Sequence, residues 1–430
     1  MLTRVRKLIP AWVLGSDPRC PVSPLMRRSR FLWIAIWVAM LFAPSIMLGF
    51  TATESKFSPA AIVAAIYVLW RLLFRPLPPL RGITGVGLLL VLYLIIHAIF
   101  LTLTTGVVII LLLEGQWIVY FVAGILLSSD LLESGADVEW VGSSLVWLGI
   151  IASIMGIISI WTGPFYSYGF HWEARWGLPI NRACGTFDSP ATFAGFLTIT
   201  TVLSFFTPPV AHGAFRRQAG LVLMMVALLL TQSKGGILGA VAAIVLGIPF
   251  IATTAAERWA ALLKLLYVGI FIGAIVFISN LYRIDLQSLV ESDVHDRGAL
   301  GAAIVSDYVQ DDLAPQLFGI GFRQSAVIDP ESGMWFPAHN NFISFLREIG
   351  LVGSIMIATF IVWSFWAMRS AGFHNWVFAM IGALLLSYTA EFFYGSFPVF
   401  FLGCTVAIGD RLRHARVAPS PAFPVCSEPA

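Results

Sequence analysis

The amino-acid sequence predicts an all-α polytopic membrane protein with about 12 transmembrane helices and a large outer loop that carries short helices. Two observations predict this fold class. Of the 430 residues, 58% are hydrophobic and only 11% are charged, which lies outside the composition of soluble domains. The apolar residues form long continuous runs instead of the alternating pattern of barrel strands, so helices must satisfy the peptide groups within the bilayer.

Twelve apolar segments are candidates to cross the membrane, since a helix needs about 20 residues to span a hydrocarbon core of about 30 Å. The segment 219–232 is short and is followed closely by Gly235 and Gly236, so we expect a tight hairpin between it and its successor. In order, the segments are 31–50, 58–75, 84–102, 106–127, 143–163, 188–207, 219–232, 234–253, 260–281, 345–368, 373–390 and 392–409.

Lys and Arg residues are divided unequally between the two sides of this topology. Cytoplasmic loops accumulate Lys and Arg, whereas acidic residues say little about orientation. With the N-terminus inside, 18 of the 26 basic residues lie on the inner side, seven of them before Phe31. The inner loop 128–142 has four acidic residues and no Lys or Arg, so it does not argue for either orientation. We therefore expect both termini in the cytoplasm.

The chain divides into four parts along this topology. Residues 1–30 form a cytoplasmic tail, and 31–163 form N-terminal transmembrane helices whose first segment is a retained anchor. Residues 164–409 carry the expected functional loops, and the Pro-, Ala- and Ser-rich residues within 410–430 predict a disordered cytoplasmic tail. The net charge of +3 comes from inner-side arginines, which fits contact with anionic membrane lipids better than nucleic-acid binding.

The first outer loop, residues 164–187, is rich in aromatic and charged side chains. Trp172 lies beside Glu173 and close to Arg175, and Arg182 follows near the end of the loop. Aromatic rings of this kind can stack on sugars, or they can form the aromatic belt found at any membrane boundary. The arginines favour a role in binding, because membrane enzymes keep such residues outside the hydrocarbon.

The second outer loop, residues 282–340, holds 59 residues and nine of the 23 acidic residues, which is too long and too polar for a simple connection. We expect a small external lid with a helix near 296–312 along the membrane interface. Gly319 and Gly321 then predict a tight turn. His339 follows where the chain re-enters the membrane, and a histidine there can accept or donate a proton near neutral pH.

Two pairs of ionisable residues leave alternatives open. Arg347 and Glu348 place a basic and an acidic group near His339, or they form a local ion pair with each other. His97 and Glu114 fall within the third and fourth apolar segments, where ionisable groups are costly. We expect these two to face each other, either as a hydrogen-bonded pair that fixes the helix hairpin or as part of a proton path.

Five motifs follow one another within residues 180–365. They are Arg182 with Gly185, Phe187, Ser189 and Pro190; Ser233, Lys234 and Gly235; Arg297; the run from Leu317 to Gly321; and His339, Asn340 and Asn341 leading into Glu348, Gly350, Leu351 and Gly353. This ordered set resembles the bacterial O-antigen ligases and the related O-antigen and exopolysaccharide polymerases, which share one membrane domain. The chain departs from the pattern at Lys234, where many members carry Arg. Lysine can hold phosphate, but without the bidentate contact of arginine.

The resemblance implies glycan transfer from an undecaprenyl-pyrophosphate-linked donor to a glycan or lipid-linked acceptor at the periplasmic face of the bacterial inner membrane. It implies that Arg182 and Arg297 are catalytic cations at the leaving pyrophosphate, helped by Lys234. It assigns His339 as the base for the acceptor hydroxyl. No metal or other cofactor is needed if arginines stabilise the leaving group. The remaining candidates for substrate binding are Glu173, Asp188, Arg175, Asn340 and Trp172.

Polymerisation of exopolysaccharide or O-antigen repeat units is the function we expect, because the outer loops are less basic than the ligase pattern. A ligase that transfers the glycan to a lipid acceptor uses the same site. A transporter or flippase for polysaccharide or lipid-linked oligosaccharide predicts internal repeats and midplane ionisable residues, whereas the polar residues here concentrate on one face. A non-catalytic scaffold is a further alternative, and Asp311 with Asp312 keeps a metal site open. A chain-length regulator and a separate flippase are the possible protein partners.

Overall fold

Helices make up most of the described chain in the computed structural model. Two short antiparallel hairpins accompany them, formed by Ile46–Leu48 (β1) with Ser55–Phe57 (β2) and by Val327–Ile328 (β3) with Trp335–Phe336 (β4). The structure describes residues 24–42, 46–48, 55–57, 59–75, 82–131, 135–163, 181–187, 189–206, 214–251, 254–281, 301–322, 324–325, 327–328, 335–336, 340–370, 372–387, 398–405 and 408.

The helices of these described ranges are numbered in chain order. They are α1 Pro24–Phe42, α2 Pro59–Phe74, α3 Gly82–Thr105, α4 Val108–Leu131, α5 Gly135–Thr162, α6 Pro190–Phe206, α7 Ala214–Leu230, α8 Lys234–Ile251, α9 Ala255–Leu281, α10 at 301–310, α11 Leu313–Phe318, α12 Asn341–Glu348, α13 Gly350–Ser370, α14 His374–Ser387 and α15 at 398–405.

Each of the twelve predicted segments contains a helix in the described residues. Five of these helices are both long and apolar enough to cross a membrane, which confirms the prediction of a helical membrane protein. The number of crossings stays a prediction. The five are Thr84–Thr105, Ile110–Leu131, Trp140–Thr162, Lys234–Ile251 and Gly350–Ser370.

Several helix boundaries differ from the predicted segments; α5, for example, begins at Gly135 instead of 143, and two further differences have a local cause. The predicted segment 31–50 is shifted, because α1 begins at Pro24 and ends at Phe42. Pro44 explains this end, since proline has no backbone N–H and disfavours helical conformation in the residue before it. The predicted segment 345–368 is divided into α12 and α13, because the chain bends at Ile349 where residues 319–321 pack against it.

Helix α13 runs antiparallel to α3. Near the start of α13, Gly353 packs against the ring of Tyr93, which lies at the middle of α3. Further along α13, Phe360 packs against Gly87 near the start of α3. The end of α3 and the start of α13 therefore lie at the same end of the helix bundle. The short connections between α3 and α4 and between α4 and α5, with the contacts of residues 181–187, place the start of α4, the ends of α5 and α7 and the starts of α6 and α8 at this end as well. We call it the Arg182 end.

The opposite end of the bundle, the Asp130 end, gathers basic residues predicted for the inner side. Arg71 Nη2 lies 3.0 Å from Asp130 Oδ1, and Arg75 Nη1 lies 3.6 Å from Asp130 Oδ2. The Arg30 guanidinium lies 4.8 Å from the centroid of the Trp140 ring. Asp130 lies in α4, within the segment 128–142 that the sequence predicted as an inner loop, so at least one acid of that segment pairs with arginines at the end of α2.

Close helix packing holds the central part of the bundle together. Gly239 of α8 approaches Gly382 of α14 so closely that a Cβ at Gly239 would lie 2.6 Å from the Gly382 carbonyl oxygen. Small residues permit such backbone contact between membrane helices. Thr198 of α6 donates a hydrogen bond to the Gly236 carbonyl oxygen of α8 (3.0 Å). Helices α6, α8 and α14 are therefore closely packed against one another.

Candidate functional site

Arg182 lies buried in a short segment, residues 181–187, at one end of the bundle. The Ala183 N–H donates to the Leu230 carbonyl oxygen (2.8 Å), and Arg182 Nε donates to the Thr231 carbonyl oxygen (2.9 Å). Only 7% of Arg182 is exposed. These bonds fix the guanidinium against the turn that joins α7 to α8.

Gly185 seats the same segment on the last turns of α5. Its N–H donates to Ser159 Oγ (3.0 Å), and a Cβ at this position would lie 3.2 Å from the Gly156 nitrogen. Its φ of +58° lies in the left-handed region that favours glycine. Any side chain at position 185 would therefore strain the backbone and push the segment away from α5.

The motif residues that follow Arg182 start α6. Ser189 Oγ accepts a hydrogen bond from the Thr192 N–H (3.1 Å), which is an N-cap interaction, and Pro190 occupies the first helical position. The Phe187 ring stacks on Phe193 with 5.2 Å between the centroids. These residues have structural roles of their own, and together they make α6 begin a few residues after Arg182.

Lys234 is the first residue of α8 and directly follows the turn that Arg182 contacts. Gln232 has a φ of 52°, which reverses the chain between α7 and α8. The turn is tight, as predicted after the segment 219–232, but α7 and α8 pack on α6 and contact each other only near this turn, so the predicted hairpin of two paired helices is not formed. Arg182 and Lys234 are far apart in sequence, and the structure brings them to the same turn.

The electrostatics of this turn favour an anion. Helices α6 and α8 both start at the Arg182 end, and a helix N-terminus carries about half a positive charge. A lysine in the first turn of a helix is electrostatically unfavourable, because it adds to that charge. A phosphate group at such a position receives both backbone N–H groups and basic side chains.

The predicted turn at Gly319 and Gly321 is confirmed. The Ile320 N–H donates to the Arg347 carbonyl oxygen (3.1 Å), and the Gly321 N–H donates to the Glu348 carbonyl oxygen (2.8 Å). Gly319 has a φ of +84°, and a Cβ there would lie 2.2 Å from the Glu348 carbonyl oxygen, so only glycine fits. The lid turn, residues 319–322, is thus joined to the end of α12.

Asn340 fixes the start of α12. Its side-chain oxygen accepts hydrogen bonds from the Phe342 N–H (3.0 Å) and the Ile343 N–H (3.4 Å), as expected of an N-cap asparagine. At the other end of α12, Ser325 Oγ donates to Glu348 Oε1 (2.5 Å). Helix α12 is therefore held at both ends.

The structure contradicts one interpretation of the sequence, a local ion pair between Arg347 and Glu348. Arg347 Nη1 instead lies 2.9 Å from Asp307 Oδ2, and Arg347 Nε lies 3.8 Å from Asp311 Oδ2. The physical reason is helix geometry, because consecutive helical residues point in different directions. The lid helix α10 is in this way attached to α12, and the predicted helix near 296–312 is confirmed over 301–310.

His97 and Glu114 face each other as the sequence predicts. His97 Nδ1 lies 3.0 Å from both carboxylate oxygens of Glu114, and the two side chains are 2% and 0% exposed. Glu114 Oε1 also accepts the Phe322 N–H of the lid turn at 3.4 Å. Sequence reasoning missed Phe322 and Thr231, because both contribute main-chain atoms that leave no side-chain signal.

Several predicted site residues lie outside the described residues. Of the remaining acidic candidates, Asp311 is close to Arg347, and in the described part of the chain no group of three or more His, Cys, Asp or Glu side chains could hold a metal ion. The predicted residues outside the described ranges are Arg297, His339, Glu173, Asp188, Arg175 and Trp172.

The apolar helices define a helical membrane protein, and buried polar side chains, Arg182 and Glu114 among them, lie at the Arg182 end. Comparison with protein-family models and with curated proteins finds no match to this chain. The likeness to O-antigen ligases and polysaccharide polymerases rests on the motif residues alone, and its functional consequences are proposals.

Proposed function

We propose that this protein is an enzyme of the bacterial inner membrane that transfers glycan from an undecaprenyl-pyrophosphate-linked donor at the periplasmic face. The proposed reaction is polymerisation of exopolysaccharide or O-antigen repeat units. The observation that carries the proposal is the position of Arg182, which is buried and bonded through Nε to the Thr231 carbonyl oxygen at the turn that leads into Lys234.

In the proposed reaction, Arg182 would stabilise the charge of the leaving group. A pyrophosphate departs with increasing negative charge, and catalysis requires positive groups that are already oriented towards that charge. Arg182 is held by its own segment and by the α7–α8 turn, so it needs little reorganisation when the charge develops. Lys234 and the N-termini of α6 and α8 add to the positive potential at the same end.

The acceptor needs a group that takes its proton, and His339 is the proposed base. His339 directly precedes Asn340, whose side chain fixes the first turn of α12. In the reaction, the acceptor hydroxyl oxygen bonds to the anomeric carbon while the bond from that carbon to the pyrophosphate oxygen breaks. His339 takes the hydroxyl proton, and undecaprenyl pyrophosphate leaves with its charge stabilised by Arg182 and Arg297.

The other proposed residues would bind the sugars. Trp172 offers a ring face for stacking, and Arg175 offers hydrogen-bond donors. Glu173 and Asp188 are acceptors for sugar hydroxyls and reserve candidates for the base. These roles follow from the motif resemblance and from the chemistry of the side chains.

The proposal is tested in a deletion strain complemented with wild type, Arg182→Ala, Arg297→Ala or His339→Ala at equal membrane levels, with the polysaccharide analysed by size. We expect Arg182→Ala to lower polymer by about a hundredfold, the effect of removing one group that stabilises transition-state charge, while single lipid-linked repeat units accumulate. Arg258→Ala, an exposed arginine near the start of α9, is the matched control and should leave polymer unchanged.

The other functions predict different products. Full-length polymer that accumulates without attachment to its lipid acceptor would identify a ligase. Lipid-linked repeat units that stay on the cytoplasmic face would identify a transporter or flippase. Normal polymer from all three variants would contradict the site and favour a scaffold.

A further inference from the structure

A buried polar network connects helices α3 and α4 to the lid turn. Glu114 of α4 and His97 of α3 form its centre, with His97 Nδ1 3.0 Å from each carboxylate oxygen. The Tyr93 ring stacks on the His97 ring with 5.7 Å between centroids and an angle of 16° between the planes. Among the described residues, His97 Nε2 has no hydrogen-bond partner, so the imidazole acts through Nδ1.

This network forms hydrogen bonds to two main-chain segments near the Arg182 end. Glu114 Oε1 accepts the Phe322 N–H at 3.4 Å. The Tyr93 hydroxyl donates to the Ile349 carbonyl oxygen at 2.6 Å and lies 3.3 Å from the Phe318 carbonyl oxygen. Phe322 at the end of the lid turn, Phe318 just before the turn and Ile349 at the junction of α12 with α13 are therefore bonded to α3 and α4.

Burial of the ionisable side chains of His97 and Glu114 costs free energy. Side chains that are 2% and 0% exposed lose their hydration, and an ionisable pair within membrane helices is rarely more stable than apolar side chains of similar volume. A hydrogen-bonded pair of this kind does fix one arrangement of the groups that it contacts. The groups contacted here are the Phe322 N–H of the lid turn, the Phe318 carbonyl oxygen just before it and the Ile349 carbonyl oxygen between α12 and α13.

We propose that Glu114, His97 and Tyr93 are positioning residues that hold the lid turn, and through it α12, in register with the Arg182 end. The inference rests on the proposed function for its consequence in glycan transfer. The lid turn bonds to the carbonyl oxygens of Arg347 and Glu348 at the end of α12. Anchoring the turn to α3 and α4 therefore anchors the helix whose first residue is two positions after His339.

Hydrogen–deuterium exchange of the full-length protein in lipid nanodiscs tests the anchor without any glycan. The reporters are the amides of residues 319–322, three of which donate the hydrogen bonds described above. Glu114→Ala removes both contacts of the carboxylate, and we expect these amides to exchange about tenfold faster, the fold-change that corresponds to a lost hydrogen bond to a charged group.

Two conservative variants keep the test informative if Glu114→Ala does not fold. In Glu114→Gln, one amide oxygen can still accept from both His97 and the Phe322 N–H, so exchange should stay close to wild type. Tyr93→Phe removes only the hydroxyl, and we expect about fivefold faster exchange at 319–322. Leu112→Ala, on the same turn of α4 with a side chain 45% exposed, is the matched control and should change nothing.

Polymer yield in the complemented strain is the second measurement. Faster exchange in Tyr93→Phe together with several-fold less polymer, and wild-type behaviour of Glu114→Gln, would support the proposal. Unchanged exchange in Tyr93→Phe, or faster exchange with wild-type polymer, would overturn it. A failure of the proposed function is seen separately, because it would appear as wild-type polymer in Arg182→Ala whatever the exchange rates are.

Discussion

Helix α4 carries one buried acidic residue near each of its ends, and the two have different partners. Asp130 contacts Arg71 and Arg75 and accepts the Tyr67 hydroxyl at 3.1 Å. Glu114 contacts His97 and a main-chain N–H of the lid turn. The first acid is paired with permanent cations, whereas the partner of the second is charged only when it is protonated.

This difference separates a structural contact from one that can take part in function. Asp130 joins α2 and α4 through short charged contacts, as expected of an ion pair that stabilises two packed helices. Glu114 joins α4 to a turn between α11 and β3, which belongs to the proposed lid. Acidic residues of one helix therefore stabilise the helix bundle at one end and contact the lid turn at the other.

The largest effect on the free energy of unfolding is expected from removing the carboxylate charge at the Asp130 end. Asp130→Asn leaves two arginines without their carboxylate in a site where the side chains of Arg71 and Asp130 are 7% and 8% exposed. We expect a loss of about 3–5 kcal/mol in the free energy of unfolding, the usual result of removing one partner from a buried ion pair. Reversible unfolding in mixed SDS micelles measures this value. A loss below about 1 kcal/mol would mean that the pair behaves as a solvated surface contact.

A smaller change tests the hydroxyl that completes the same cluster. Tyr67→Phe removes the donor to Asp130 Oδ2 and leaves both arginines in place. We expect a loss of about 1 kcal/mol in the free energy of unfolding, because the carboxylate keeps its charged partners. The same SDS titration checks this. A loss as large as that of Asp130→Asn would show that the hydroxyl, and not the ion pair, dominates the cluster.

The smallest effect on the free energy of unfolding is expected for an exposed ion pair of the same chemistry. Asp307 also contacts an arginine, with 2.9 Å between its Oδ2 and Arg347 Nη1, but its side chain is 43% exposed. Water screens such a pair, so Asp307→Asn should change the free energy of unfolding by less than about 1 kcal/mol. Equal losses for Asp307→Asn and Asp130→Asn in parallel titrations would contradict the weight given to burial.

The sequence was most informative where hydrophobicity decides the structure. Apolar runs predicted the positions of the helices because lipid leaves the backbone few alternatives. The facing of His97 and Glu114 was also predictable, since two costly residues at similar depth in consecutive helices satisfy each other best. Gly319 was recognisable because a turn with positive φ needs glycine.

Tertiary contacts made through main-chain atoms were not predictable. The bond from Arg182 to the Thr231 carbonyl oxygen depends on how α5, α6 and α7 pack, and every residue type offers such a carbonyl. The contact between Arg71 and Asp130 required a choice among many acids and bases on one side of the protein. The sequence left open a local pair of Arg347 with Glu348, which does not form, because consecutive helical residues point in different directions and Asp307 of α10 lies nearer.

The most direct test of the central claim is glycan transfer by the purified protein in liposomes that contain an undecaprenyl-pyrophosphate-linked glycan. We expect wild type to lengthen the glycan and release one undecaprenyl pyrophosphate for each bond formed, and Arg182→Ala to be about a hundredfold slower with the helical fold intact. Equal rates for Arg182→Ala and wild type, or no glycan transfer by wild type, would contradict the claim.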